Sequence, residues 1–202
     1  MIVLLHFFHL GFSPLSLALL FLLYELVGVI TNLIGGWVTS FYGIKRMLSL
    51  GVLLQIFGLC LLSFYTSSWG LYSSIIWIMI AQGISGIAKD ISKTSSKSAV
   101  KIVSGDGNGL LFKWVSWFTG LKNISKGLGF FFGSLLIEII GFHYSLYTLI
   151  LLLSLCLFSL ILLESNLGLL KPSKTLKTFL SKSSNINTLS LARLFLFGSR
   201  DI

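Results

Sequence analysis

Four lysines recur at four-residue spacing in "GIAKDISKTSSKSAVKIV" (86–103): Lys89, Lys93, Lys97 and Lys101. On a helix four residues advance about 400°, so each lysine drifts only about 40° from the one before. The result is a slowly turning cationic stripe. Two readings fit it equally. It is a surface helix held against anionic lipid headgroups, or an electrostatic funnel that gathers anions to a pore mouth.

A second basic pair, Lys122 and Lys126, lies one turn apart inside a long apolar run, with Asn123 beside it. Counted from the basic start of that helix, the two lysines fall about 18 and 24 Å in. Lysine near the middle of a bilayer costs about 2.5–3.5 kcal/mol, and two on one face also repel. Such a pair is expected to line a polar cavity suited to an anionic solute; the competing reading has Lys122 snorkelling to the interface. Among the acids, Glu25 lies within an apolar run and Glu138 nearer a helix end. Intramembrane carboxylates are candidates for ion coupling, and Glu25 is the better placed. Asn32, Gln55 and Gln82 read as helix-bridging groups, and His6 and His9 as interfacial.

The elements that must position these groups follow from the apolar runs. The chain has 202 residues, 55% of them hydrophobic and 10% charged, with a mean hydropathy of +0.95. Apolar runs of about 18 residues or more read as membrane-spanning helices. The expected fold is therefore an all-α, polytopic membrane protein. Its helices are expected at about 1–10, 15–40, 47–65, 71–90, 110–140 and 145–164, followed by a basic linker (165–190) and an apolar segment (191–202). The first is too short to span and reads as the outer end of an incomplete helix. Pro14 suits the start of the second, and "SGDGNG" (104–109) is a turn.

Charge sorts the loops into two sets. Those at 11–14, 66–70 and 141–144 carry no Lys or Arg, whereas the others carry Lys45, Arg46, the stripe, and lysines 171, 174, 177 and 182. Basic short loops mark the cytoplasmic side. The formal net charge of +9 is thus largely a topology signal, and nucleic acid is not an expected partner. Cys60 and Cys156 sit in apolar runs and read as packing residues. No cofactor, metal or enzyme constellation is indicated: GxxxxGK[ST], HExxH and the nucleophile elbow are all missing.

"GWVTSFYGIKR" (36–46) resembles the loop motif of the major facilitator superfamily, G-x-x-x-D-R-x-G-x-R-R. Gly36, Gly43, Lys45 and Arg46 match, while Ser40 and Phe41 replace its Asp and Arg. Gly120, Gly129 and Gly133 fall on the spacing of the superfamily's antiporter motif, G-x8-G-x3-G-P-x2-G, with Ser134 and Ile137 replacing Pro and the last Gly. These glycines are expected to form a packed helix face.

"YELVGVITNLIGGW", "QGISGIAKDISKTSSKSAVKIV", "LKNISKGLGFFFG" and "INTLSLARLFLFGSRD" together closely resemble the organoarsenical efflux permeases of that superfamily, the ArsJ-type family. The resemblance implies a multi-pass exporter in the cell (cytoplasmic) membrane. Its substrate would be 1-arseno-3-phosphoglycerate, made when glyceraldehyde-3-phosphate dehydrogenase uses arsenate in place of phosphate, and export followed by breakdown would give arsenate resistance. It also implies two six-helix halves, of which this chain is expected to hold the N-terminal bundle, with the seventh helix only begun and the C-terminal half missing. Substrate-binding candidates are Lys122, Lys126, Asn123, Lys89 and Lys93; that assignment comes from the residues, not from the family. Two alternatives stand beside it: a half-permease subunit without transport of its own, and an exporter of another organic anion.

Overall fold

The computed structural model describes residues 2–66, 69–104 and 109–162, together with Thr188 and Ala192; side chains at 20, 23, 25, 29–30, 32–37, 40–41, 71, 101–104 and 111 lie outside that description. The chain divides into two compact units, Met1–Leu170 and Lys171–Ile202. The fold below is that of the first. The expected linker at 165–190 and apolar segment at 191–202 lie, but for Thr188 and Ala192, outside the described residues.

Among its described residues this unit has five helices: α1 (Ile2–His9), α2 (Pro14–Tyr42), α3 (Ile44–Ser63), α4 (Leu71–Ser104) and α5 (Leu110–Leu162). No strand occurs among the described residues, and the all-α reading of the sequence holds. Ser13 caps α2 through its hydroxyl, which accepts from the Ser16 N–H at 3.2 Å, and Pro14 supplies the first helical residue. That proline has no N–H to leave unsatisfied. Between α2 and α3 there is a single residue, Gly43, with φ 81 and ψ 156. Only glycine occupies that region without strain, so the corner is set by its identity.

Two boundaries differ from the sequence reading. Helix α4 does not end near residue 90 but runs unbroken through the lysine stretch, 34 residues in all. At 1.5 Å per residue it is about 51 Å long, against a hydrocarbon core of about 30 Å. The fifth and sixth expected helices are joined without a loop: α5 bends at Gly141 (φ 76, ψ 177), giving arms at 110–140 and 142–162. Among the described residues, α3, α4 and α5 each contain a segment long and apolar enough to cross a membrane.

Helix α4 packs between α2 and α3 through small residues. A methyl group on Gly86 would lie 2.6 Å from the Tyr24 carbonyl oxygen, and one on Gly58 would lie 2.6 Å from Ser85 Oγ. Close backbone approach of this kind is how helices associate where no water is available to drive them together. The Trp77 indole N–H donates to the Leu61 carbonyl at 2.8 Å, tying α4 to the far end of α3.

The three uncharged loops share one end of the bundle. Phe7 makes edge contacts with Phe12, Tyr65 and Phe142, and His6 stacks on Phe142 at 3.9 Å between ring centres. At the opposite end the Lys45 ammonium donates to the Ile161 carbonyl at 3.1 Å. The second arm of α5 therefore lies antiparallel along α3.

Candidate functional site

Because α4 is continuous, its lysines are carried on one rigid rod beside α2. The Lys89 ammonium sits 3.9 Å from the centre of the Tyr24 ring, a cation–π contact that holds the charge at the α2–α4 seam. One turn on, Lys93 lies 3.6 Å from Asp90 Oδ1. Lys97 is exposed, and the side chain of Lys101 lies outside the described residues. Beyond the stripe's start, Thr39 and Ser95, both buried, place their hydroxyls 3.4 Å apart.

Asp90 is the residue that reading the sequence missed. An acid flanked by lysines at one and three residues looks like part of a solvated face. The side chain is in fact 2% exposed, with Oδ2 in the space that a Cβ at position 28 would need. The available signal was Gly28 itself, a residue without a side chain opposite a charged one.

A cavity of about 680 Å³ lies inside the bundle, lined by residues of all five helices. Its polar groups are few: Tyr24, Gln55, Gln82, Ser85 and Thr148, set among residues such as Phe21 and Leu59. Ser85 Oγ is buried there without a hydrogen-bond partner. Gln55 and Gln82, expected to bridge helices, face this space.

The proposed solute groups on α5 are placed differently from expectation. Lys122, Asn123 and Lys126 are exposed and do not line this cavity. Every described side chain from 112 to 132 except Phe118 is exposed, so this arm stands clear of its neighbours here and encloses nothing around the lysines. Lys126 lies 5.8 Å from the Phe130 ring centre, on its own helix. The expected packed glycine face is also only partly present. A methyl at Gly120 or Gly129 would meet nothing within 4 Å, because no helix lies against that side, whereas Gly129 and Gly133 border the cavity.

Of the loop motif, Gly43 makes the corner, Lys45 reaches Ile161, and Arg46 is exposed. The surroundings of Gly36 and the side chain of Glu25 lie outside the described residues, and Glu138 is exposed. No group of three or more metal-ligating side chains occurs among the described residues.

Long apolar helices joined by short corners and a cavity inside the bundle define a multi-pass membrane protein of the transporter type. Residues 1–200 match the Major Facilitator Superfamily, and the chain belongs to it. No curated protein and no solved structure gives a match.

Proposed function

We propose that the chain forms the N-terminal bundle of an exporter for an anionic organoarsenical, 1-arseno-3-phosphoglycerate, in the cell membrane, with its basic loops in the cytoplasm and transport coupled to an ion. The observation that carries this reading is the unbroken α4, which holds Lys89 and Lys93 at the α2–α4 seam with Lys97 further along the same rod. Phosphate and arsenate groups call for such point charges, and the resemblance of the lysine stretch to the ArsJ-type permeases supplies the particular solute. The dehydrogenase that makes the ester is then a functional partner, not a bound one.

Arsenate-sensitive cells expressing the gene should gain resistance, and a Lys89→Ala plus Lys93→Ala variant present at the same level should lose it. Cells that gain no resistance overturn the substrate. A resistant double variant removes these lysines from the solute path.

The exposed first arm of α5 favours a second reading, a half-permease that pairs with a separate C-terminal bundle. A stretch of helix exposed over most of residues 112–132 that carries Lys122 and Lys126 beside Phe130 and Phe131 is better suited to a protein partner than to lipid. Co-purification of a second helical chain would support it.

A further inference from the structure

The cavity inside the bundle differs in chemistry from the lysine stripe. Among its described lining residues there is no Lys, Arg, His, Asp or Glu. Most of the wall is aliphatic or aromatic, Phe21, Leu59 and Leu146 among it, and its polar groups are uncharged at neutral pH. Burying a charge without a partner is costly, so a solute charged at both ends gains nothing by entering. At about 680 Å³ the space nevertheless falls within the roughly 300–1,000 Å³ of small-molecule sites.

One wall residue joins the two regions. Tyr24 lines the cavity, and the Lys89 ammonium lies 3.9 Å from the centre of its ring. Lys89 is not in the wall itself; its charge stands one side chain away. Tyr24 is held in place: Gly86 comes close against its carbonyl, and Phe21 meets its ring edge-on at 6.4 Å between centres. A fixed charge at the margin of an apolar space acts strongly on an opposite charge brought to that margin, because little water screens the pair. Within the wall, Ser85 is 5% exposed and its Oγ has no hydrogen-bond partner. A hydroxyl or amide on a bound molecule can satisfy such a group.

We propose that this cavity binds an amphipathic organic monoanion: its apolar body lies inside the bundle, and its one anionic group is held at the margin by Lys89, seated on Tyr24. The body has room for an uncharged hydrogen-bonding group at Ser85. The proposal stands on the cavity and Lys89 alone and needs neither the arsenate ester nor its transport.

The test is equilibrium binding of 2-naphthoate to the full chain in lipid nanodiscs at pH 7, with nanodiscs lacking the chain subtracted for partition into lipid. A carboxylic acid titrates at about 4, so this ligand is a monoanion there; 2-naphthamide has the same body without the charge, and acetate the charge without the body. The wild-type chain should bind naphthoate about tenfold more tightly than naphthamide and acetate not measurably. Equal affinity for naphthoate and naphthamide, binding of neither, or acetate binding as tightly as naphthoate overturns the proposal without any variant.

Variants then locate the two parts. Lys89→Gln should raise the naphthoate Kd to that of the amide and leave the amide's own Kd unchanged, which also shows that the cavity is intact. Tyr24→Leu, which removes the ring beneath the ammonium, should likewise cost the anion more than the amide. Leu149→Trp or Leu152→Trp, whichever keeps the wild-type Tm, fills the cavity and should bind neither. A Lys89→Gln chain that still prefers the anion, or naphthoate binding that survives the filled cavity, overturns the site.

Discussion

Gly86 meets the Tyr24 carbonyl so closely that an added methyl group would stand 2.6 Å from the oxygen. The obstruction is backbone, which cannot rotate aside, so the α2–α4 spacing depends on this glycine. Gly86→Ala should lower stability by about 1–3 kcal/mol, the usual penalty for overpacking. Gly120→Ala, where a methyl meets nothing within 4 Å, should be neutral or gain about 0.5–1 kcal/mol from helix propensity. Thermal unfolding of the two variants in one detergent measures the contrast, and equal losses would refute this packing.

The Trp77–Leu61 hydrogen bond, 2.8 Å long, joins α4 to α3 at the uncharged end. Trp77→Phe keeps most of the apolar contact and removes the donor. The expected loss is about 0.5–1.5 kcal/mol, read as a lower midpoint in denaturant titration of the purified chain. An unchanged midpoint would show that the bond contributes nothing to the packing of the two helices.

Gly141 holds φ 76 and ψ 177 between the two arms of α5, a conformation that costs other residues about 1–3 kcal/mol. Gly141→Ala should straighten the bend and pull Phe142 away from His6. Spin labels at Leu128 and Leu155 should then separate, since the arms no longer fold back. Unchanged label distances would mean that packing of the second arm along α3, not the glycine, sets the bend.

Much of this architecture is legible in the residues. Pro14 after a serine announces the start of α2, and the uncharged loops at 11–14 and 66–70 predict the shared end where Phe12 and Tyr65 meet Phe7. The local sequence also explains what was misplaced. "GFHY" reads as a loop, yet one glycine at positive φ suffices to turn the chain and the next residues continue the helix. The serines and lysines after residue 90 lower the hydropathy without breaking the helix, so α4 outlasts its apolar run. Burial of Asp90 depends on a glycine 62 positions earlier in the chain, and the exposure of Lys122 depends on which helices stand beside α5. Neither relation has a local signature.

Lys122 and Lys126 give a separate prediction. Exposed on the first arm of α5, they still carry the charge that an anion path needs, on a surface open to a facing bundle. Lys122→Ala plus Lys126→Ala should abolish arsenate resistance in sensitive cells while leaving the amount of membrane-inserted chain unchanged. Full resistance in that variant would remove both from the solute path and leave the α4 lysines as the candidate contacts.

Transport itself is the most direct measurement. Everted membrane vesicles containing the exporter whose N-terminal bundle this chain forms are supplied outside with glyceraldehyde-3-phosphate dehydrogenase, NAD, arsenate and phosphorus-labelled glyceraldehyde 3-phosphate, so that the arsenate ester forms at the face equivalent to the cytoplasm. The account predicts that label accumulates inside these vesicles when arsenate is present and falls to background when Lys89 and Lys93 are both alanine. Accumulation no greater than in vesicles lacking the chain would contradict it.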